Sequence, residues 1–241
     1  MAETHWEQME GSLDTAMVSW GKTTRAEAAP PEGAACGGFH SLQPCEGVSA
    51  LISTEVGESM APIPAGKGGA IQGCIRKMVL MHQYAPMLFL ACGKNTASAQ
   101  AYMLGLSEEW PYRIVLKKGL LVEGLQIADP VNTPTVLRVS DAIYDTSIWH
   151  NLQMFVAVNA QGDVALRVLR DVNDPIDPIP GNMDFQAIAG MGDVIDDALG
   201  TLTGTPGLTG SFFPGIGHYN RAAPGRISLF DLIMYGRQTA P

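Results

Sequence analysis

The chain has 241 residues, of which 46% are hydrophobic and only 16% charged, and its formal net charge is −9. The apolar material is sufficient for a packed core. The negative charge argues against nucleic acid and against an anionic membrane surface as partners, because both are bound by basic patches.

No apolar run approaches the roughly 20 residues that span a bilayer, so membrane insertion is not expected. The N-terminal stretch MAETHWEQMEGS has neither the basic nor the apolar region of a signal peptide, which predicts synthesis in the cytoplasm. The four cysteines form no C-x-x-C pair, which favours reduced thiols over a disulfide framework or a zinc site.

Residues 22–38, KTTRAEAAPPEGAACGG, are the weakest region for regular structure, because paired prolines and paired glycines do not fit inside a strand or helix. We therefore predict that residues 1–38 form an N-terminal arm or a long first loop. For residues 22–38 the loop is the favoured interpretation. Residues 39–241 are predicted to form one domain.

From residue 39 onward the sequence repeatedly predicts β-strands. Strand-length segments separated by turn residues occupy 47–56, 74–81, 86–92, 99–106 and 112–118. Their regular spacing, together with 27 glycines and 16 prolines, indicates short strands rather than long helices.

The segment 149–170, WHNLQMFVAVNAQGDVALRVLR, predicts a β-hairpin. Apolar residues alternate with other residues over 152–158 and again over 164–169, which places each apolar set on one face of its strand. Asn159 and Gly162 suit the five-residue connection between the two strands, because both residue types tolerate a left-handed backbone.

The C-terminal third is predicted to contain two loops and a closing strand. Repeated prolines make 172–183 a long loop, and the glycine-rich segment 192–220 is predicted to be mostly loop with short strands. Residues 225–237, GRISLFDLIMYGR, alternate well enough for a strand, within which Asp231 needs a partner if it is buried.

Three stretches resemble a known family. The three stretches are AQAYMLGLSEEWPYRIVLKKGLL (99–121), WHNLQMFVAVNAQGDVALRVLRD (149–171) and GIGHYNRAAPGRISLFDLIMYGR (215–237). They are similar, in this order, to strand pairs and to the closing pattern of concanavalin A-like jelly rolls, including laminin G-like domains. The resemblance implies an all-β fold: a two-sheet antiparallel β-sandwich with a short irregular N-terminal arm. The chain also resembles minor structural proteins of tailed-bacteriophage virions.

No catalytic residues are predicted. Retaining glycosidases of this fold would place two carboxylates about 5 Å apart, and the alternating E-hydrophobic-D-hydrophobic-x-E strand of the glucan-hydrolysing families does not occur here. Glu108 and Glu109 are adjacent in a turn, so their side chains diverge. The motifs G-x-S-x-G and G-x-x-x-x-G-K-[ST] are also lacking from the sequence, so neither a serine nucleophile nor a nucleotide is implied.

Asp193, Asp196 and Asp197 form an acidic segment with two interpretations. Calcium takes several carboxylate and carbonyl oxygens, and laminin G-like domains often carry such a site, so the resemblance implies calcium here. The favoured alternative is a solvated, turn-forming loop without cofactor. The five histidines are scattered, and His150 is interpreted as a strand-edge residue beside a core Trp149.

Trp110, Tyr219 and Asn220 are the candidate carbohydrate-binding residues. A sugar site combines an aromatic plate for the C–H face of the ring with polar groups for its hydroxyls, and the turn SEEWP and the pair Tyr219-Asn220 supply both types. Each aromatic residue could instead pack in the core.

The sequence therefore predicts a non-enzymatic structural or adhesion protein of a bacteriophage particle, located in the virion and associated with the tail. Its expected partners are other virion proteins, further copies of itself and a cell-surface glycan. A carbohydrate-binding module or a polysaccharide-degrading enzyme of the same fold is the alternative.

Overall fold

A computed structural model describes residues 4–8, 17–20, 23–28, 39–44, 47–53, 67–77, 84–92, 99–107, 110–120, 135–173, 183–220 and 228–238. These ranges are folded as β-strands and connecting turns. They contain no α-helix, and hence none that is long and apolar enough to cross a membrane.

The strands are, in chain order, β1 (Thr4–Gln8), β2 (Met17–Trp20), β3 (Thr23–Ala28), β4 (Phe39–Pro44), β5 (Gly47–Ser53), β6 (Gly69–Lys77), β7 (Tyr84–Cys92), β8 (Gln100–Leu106), β9 (Ile114–Leu120), β10 (Thr135–Val139), β11 (His150–Val158), β12 (Val164–Asp171), β13 (Phe185–Ala187), β14 (Val194–Asp196), β15 (Phe212–Asn220) and β16 (Ser228–Gln238).

These strands form two antiparallel sheets. The nine-stranded sheet has the order β13-β12-β11-β6-β16-β4-β3, with β1 also paired to β16 and β14 also paired to β12. The seven-stranded sheet has the order β10-β9-β8-β7-β15-β5-β2. Several neighbours in each sheet, such as β6 with β16 and β7 with β15, are distant in sequence, as expected of a jelly roll.

The core lies between the two sheets. The nine-stranded sheet contributes alternate residues such as Ile71 and Met154, and the seven-stranded sheet contributes residues such as Leu88 and Leu104. Since successive residues of a strand point to opposite faces, this pattern follows from the period-two alternation of the sequence. The fold class predicted from the sequence is confirmed.

Within the seven-stranded sheet, β7 and β8 are buried on both faces over residues 86–91 and 101–106. The face of this sheet away from the core carries a second apolar cluster, whose described members are Met87, Phe89, Ala91, Ala99, Ala101, Met103, Val115 and Phe213. A strand buried on both sides is expected to read as a continuous apolar run rather than as an alternation. The segment PMLFLAC, which forms most of β7, has this character.

The predicted hairpin is confirmed. β11 and β12 pair from Leu152↔Arg170 to Val158↔Val164, and the alternate residues that face the core are buried. Gly162 has φ +86°, as the turn requires, whereas Asn159 contributes through its side chain, whose Oδ1 accepts hydrogen bonds from the backbone of Gln161 and Asp163.

The structure differs from the sequence-based expectation near the N-terminus. Residues 23–28, predicted to be irregular, form β3, which pairs with β4. β1 and β2, within the predicted arm, pair with β16 and β5. β1 and β2 depend on pairing with sequence-distant neighbours and β3 on pairing with β4, which local propensity does not reveal. The paired prolines and glycines of the predicted loop lie outside the described residues.

One further expectation changed near the C-terminus. Residues 197–211 are non-strand as predicted, but 212–220 form the nine-residue strand β15, whose glycines are supported by pairing with both β5 and β7. The closing strand is confirmed as β16. Most of the predicted loop 172–183 and the side chain of Asp231 lie outside the described part of the chain.

Candidate functional site at one end of the sandwich

Trp110 lies on the turn between β8 and β9, where 67% of its surface is exposed. The ends of this turn are joined by hydrogen bonds from Ser107 N to Arg113 O at 2.8 Å and from Arg113 N to Ser107 Oγ at 2.9 Å. The Trp110–Pro111 peptide bond is cis. The indole therefore stands in solvent beside a turn whose two ends are joined by hydrogen bonds.

The Trp110 turn is anchored to neighbouring elements. Lys77 Nζ, at the end of β6, donates to the carbonyl of Ser107 at 2.8 Å and lies 4.3 Å from the centre of the Tyr112 ring. Tyr144 N, in the connection between β10 and β11, donates to the Tyr112 carbonyl at 2.9 Å. The turn is thus fixed against both the nine-stranded sheet and the β10–β11 connection.

Tyr219 and Asn220, the other predicted sugar-binding residues, lie at the same end of the seven-stranded sheet as Trp110. One row of paired residues crosses β8, β7 and β15 and consists of Gly105, Met87 and Gly217. Trp110 follows Gly105 beyond the end of β8, and Tyr219-Asn220 follow Gly217 at the end of β15. Since adjacent strands are about 4.8 Å apart, the two strands β8 and β15 are separated by roughly 10 Å here.

Trp149 and His150 are both buried. The burial of Trp149 agrees with the prediction, but His150 is not a strand-edge residue, because β11 lies between β6 and β12. His150 Nε2 lies 2.6 Å from the carbonyl oxygen of Asp145, and Tyr144 packs edge-on against the imidazole at 5.5 Å. Burial lowers the pKa of His150 to about 4, so the imidazole is neutral at pH 7 and Nε2 donates.

Polar atoms without partners concentrate around the start of β11. In the described part of the chain, the buried side-chain atoms that have no hydrogen bond are Arg76 Nε, Thr146 Oγ1, His150 Nδ1, Asn151 Oδ1 and Arg170 Nε. Native proteins pair nearly all such atoms. By the register of the strands, Arg76 and Asn151 lie on the outer face of the sheet, whereas His150 and Arg170 lie on its core-facing side.

The outer face of the nine-stranded sheet carries a row of amides beside this region. Gln153 Nε2 donates to Gln72 Oε1 at 3.0 Å, and the amide nitrogens of Gln72 and Asn151 each lie 3.3 Å from Met183 Sδ. These three amides are buried, although they alternate with core residues and face away from the core. Asn151 keeps its carbonyl oxygen unpaired.

The structure does not bring together the three carboxylates of the acidic segment. Asp193 is exposed and forms a two-bond salt bridge with Arg167, at 2.9 and 2.7 Å, which lowers the pKa of Asp193. Asp197 Oδ1 accepts hydrogen bonds from the backbone of Leu199 and Thr201, and the Thr201 amide is the main cause of its lowered pKa. Both carboxylates stabilise the loop that they belong to.

Asp196 is fully buried. Its Oδ2 lies 2.7 Å from Lys118 Nζ and accepts a hydrogen bond of 2.6 Å from Tyr102. Burial, followed by this hydrogen bond, raises the pKa of Tyr102 well above its ordinary value. Among the described residues, no three His, Cys, Asp or Glu side chains are grouped so that they could hold a metal ion. The shared calcium site implied by the resemblance is therefore not formed by Asp193, Asp196 and Asp197 in this arrangement.

Comparison with known proteins shows the fold. No protein-family model matches the sequence, and no curated protein matches it. Among solved structures, a PL-14 alginate lyase from Aplysia kurodai superposes with a TM-score of 0.55 at 9% identity, covering 96% of this chain and 92% of that chain. The exoplasmic/lumenal domain of VIP36 in its Ca²⁺-bound form gives 0.51 at 11% identity, covering 94% and 84%.

A third neighbour comes from a virus. The carbohydrate esterase of Shiga toxin-encoding bacteriophage phi24B has a TM-score of 0.50 at 13% identity, and the match covers 99% of this chain and 100% of that chain. At these identities the likeness shows the fold alone. The chain folds as a lectin-like, concanavalin A-like jelly roll, which confirms the resemblance seen in the sequence.

Proposed function

We propose that this protein is a non-enzymatic adhesion protein of a bacteriophage particle, which contacts a cell-surface glycan through the end of the sandwich that carries Trp110. The observation that carries the proposal is the exposed indole on an anchored turn. An aromatic ring presented in this way offers a flat apolar plate for the C–H face of a sugar.

The anchoring of the turn matters for affinity. Immobilising a side chain and its loop on binding costs free energy, and a turn that is already fixed reduces that cost. The hydrogen bonds from Lys77 to Ser107 and from Tyr144 to Tyr112 fix the backbone on both sides of Trp110. Tyr219 and Asn220 end their strand at the same end of the sheet, where a glycan longer than one residue would reach them.

The partners of the acidic side chains support a non-enzymatic role. A glycosidase needs two carboxylates free to act as nucleophile and acid/base. Asp193 is paired with Arg167, Asp196 with Lys118 and Tyr102, and Asp197 with backbone amides. Asp171 Oδ1 accepts hydrogen bonds from the backbone of Asn173 and Asp184. Each of these carboxylates would have to give up a structural contact in order to act on a substrate.

The location in a phage particle is supported by the resemblance of the sequence to virion proteins and by the fold shared with the phage phi24B esterase. The named activity of that protein and the alginate lyase activity of the Aplysia protein both concern carbohydrates. We propose further copies of this chain and other virion proteins as its partners.

Glycan-array binding of the full chain tests the adhesion role. The unchanged protein is expected to bind a subset of surface oligosaccharides, and Trp110→Ala to lose that binding while Trp110→Phe retains part of it. Leu199→Ala is a matched control, because Leu199 is also exposed but lies on the turn after β14. No binding to any glycan would refute the adhesion role.

Two further measurements test the remaining parts of the proposal. Turnover of any bound oligosaccharide, followed by release of reducing ends or of acyl groups, would refute the non-enzymatic role. Mass spectrometry of purified particles is expected to find the chain among the virion proteins, and its absence from particles that are infectious and complete would refute the virion location.

A further inference from the structure

The ammonium group of Lys118 is surrounded by four oxygen atoms, which we call the Lys118 cage. The distances from Lys118 Nζ are 2.7 Å to Asp196 Oδ2, 3.0 Å to Thr203 Oγ1, 2.9 Å to the Thr205 carbonyl oxygen and 2.8 Å to the Pro206 carbonyl oxygen. The side chains of Lys118 and Asp196 are 2% and 0% exposed. An ammonium group has three N–H donors, so the cage is sufficient to pair all of them away from water.

Three of the cage oxygens belong to the turn after β14, residues 197–207. This turn places no large apolar side chain in the core, because Leu199 and Leu202 are 90% and 42% exposed. Within these described residues the only buried one is Gly200. A segment that buries so little apolar surface depends on its hydrogen bonds for its conformation. The turn is therefore held by the Lys118 cage together with the hydrogen bonds that Asp197 accepts.

The cage has the geometry of a site for a large monovalent cation. Its distances of 2.7–3.0 Å are longer than the roughly 2.3–2.6 Å of calcium–oxygen contacts, and calcium takes about 6–8 oxygens rather than four. Magnesium requires still shorter contacts of about 2.0–2.1 Å. The cage includes one carboxylate, that of Asp196, so a single positive charge neutralises it. Ammonium and potassium ions match both the size and the charge.

We infer that the ammonium group of Lys118 takes the place of a bound monovalent cation, so that the chain itself supplies the ion that orders the turn after β14. Calcium does not fit the acidic segment, because this ammonium already occupies the oxygen atoms around Asp196. A tethered cation cannot diffuse away, so the turn stays ordered whatever the concentration of dissolved cations. As a consequence, the cage should accept a free cation once the lysine side chain is shortened.

Thermal unfolding of Lys118→Ala in chloride salts of equal ionic strength tests the inference. Potassium or ammonium chloride is expected to raise the melting temperature of this variant above its value in choline chloride, because choline is too large to enter the cage. At a cation concentration of ten times the dissociation constant, the rise should be about 3–6 °C. The unchanged protein should show no such rise, because Lys118 fills the cage.

Two control variants separate binding in the cage from general effects of salt. Adding Asp196→Asn to Lys118→Ala removes the carboxylate and should abolish the rise. Arg167→Ala also leaves a carboxylate without its cation, that of Asp193, but this pair is exposed, so potassium and choline chloride should act alike. No rise in Lys118→Ala, or an equal rise in the double variant, would overturn the inference.

Should Lys118→Ala fail to fold in every salt, the unchanged protein decides the question. Acetylation of the native chain, followed by mass spectrometry, is expected to modify Lys118 about tenfold more slowly or less than the exposed Lys67. Equal rates at the two lysines would show that the Lys118 ammonium is not held in the cage. Neither experiment involves a glycan, so failure here leaves the proposed function in place.

Discussion

Lys118 Nζ lies 2.7 Å from Asp196 Oδ2, and this salt bridge joins the two sheets through the interior of the sandwich. Lys118 belongs to β9 of the seven-stranded sheet and Asp196 to β14 of the nine-stranded sheet. Lys118 also donates to the carbonyls of Thr205 and Pro206, so the turn after β14 is held by the same side chain. Buried charges of this kind are stable only when their partners are complete.

Breaking this pair from one side is expected to destabilise the fold strongly. Asp196→Asn or Lys118→Met should each lower the free energy of unfolding by about 3–5 kcal/mol, because the remaining charge loses its buried partner. The double variant is expected to cost clearly less than the sum of the two. Urea denaturation measures all three, and additive losses would contradict a direct coupling.

The glycines of the turn after β14 provide a matched comparison. Gly200 and Gly204 have φ +75° and +74°, but a Cβ at Gly200 would lie 2.7 Å from the carbonyl carbon of Thr205, whereas one at Gly204 would have no atom within 4 Å. Gly204→Ala should cost about 1–2 kcal/mol from the left-handed backbone alone. Gly200→Ala should cost more, and equal melting temperatures of the two variants would contradict the clash.

His150 is expected to make stability depend on pH. Burial holds its folded-state pKa near 4, below its ordinary value of 6.5, so the unfolded chain binds the proton first. The contribution of the neutral, buried His150 to the free energy of unfolding is therefore fully present above pH 6.5. It is lost as the pH falls from 6.5 towards 4, by about 3 kcal/mol in total. The lowered pKa values of Asp145, Asp193 and Asp197 act at lower pH, below their ordinary value of 3.8.

Chemical denaturation at several pH values, repeated on His150→Gln, isolates this effect. The unfolding free energy of the variant should change less between pH 6.5 and 4 than that of the unchanged protein. If the unfolding free energies of the two proteins instead changed with pH in parallel, His150 would not be buried in its neutral form.

Calcium is expected to have little effect on this chain. A calcium ion at the acidic segment would require Asp196 to leave Lys118 and Tyr102, and Asp193 to leave Arg167. Addition of calcium, or of a chelator, should therefore leave the melting temperature unchanged. A rise of several degrees with calcium that is lost in Asp197→Asn would contradict this and restore the metal interpretation.

The sequence predicted well those elements whose pattern is local. The β11–β12 hairpin follows from alternation on both sides of a turn, and the closing strand β16 follows from alternation alone. The N-terminal strands were missed because β1 and β2 depend on neighbours far away in the sequence and β3 depends on pairing with β4. Weak strand formers such as Ala and Glu are accepted in β3 because pairing, rather than propensity, supplies the stabilisation.

The candidate site was predicted only in part. Trp110 was selected for its residue type in a polar turn, and its exposure fits that choice. The buried amides of Gln72, Asn151 and Gln153 were missed, because each stands within a strand and nothing local marks it. Their polar character at positions facing away from the core was visible, but polar residues at such positions are usually solvated.

The amino-acid sequence by itself determined that this protein is built of β-strands, because the period-two alternation of apolar residues selects strands and assigns each a buried face. The two-sheet sandwich was implied by the family resemblance. Only the tertiary structure decided which partners the charged and polar groups have. It paired Asp196 with Lys118 and Asp193 with Arg167, and it directed Asp197 to the backbone of its own turn. The physical reason is that a hydrogen bond acts over about 3 Å, and the register of distant strands sets which groups come that close.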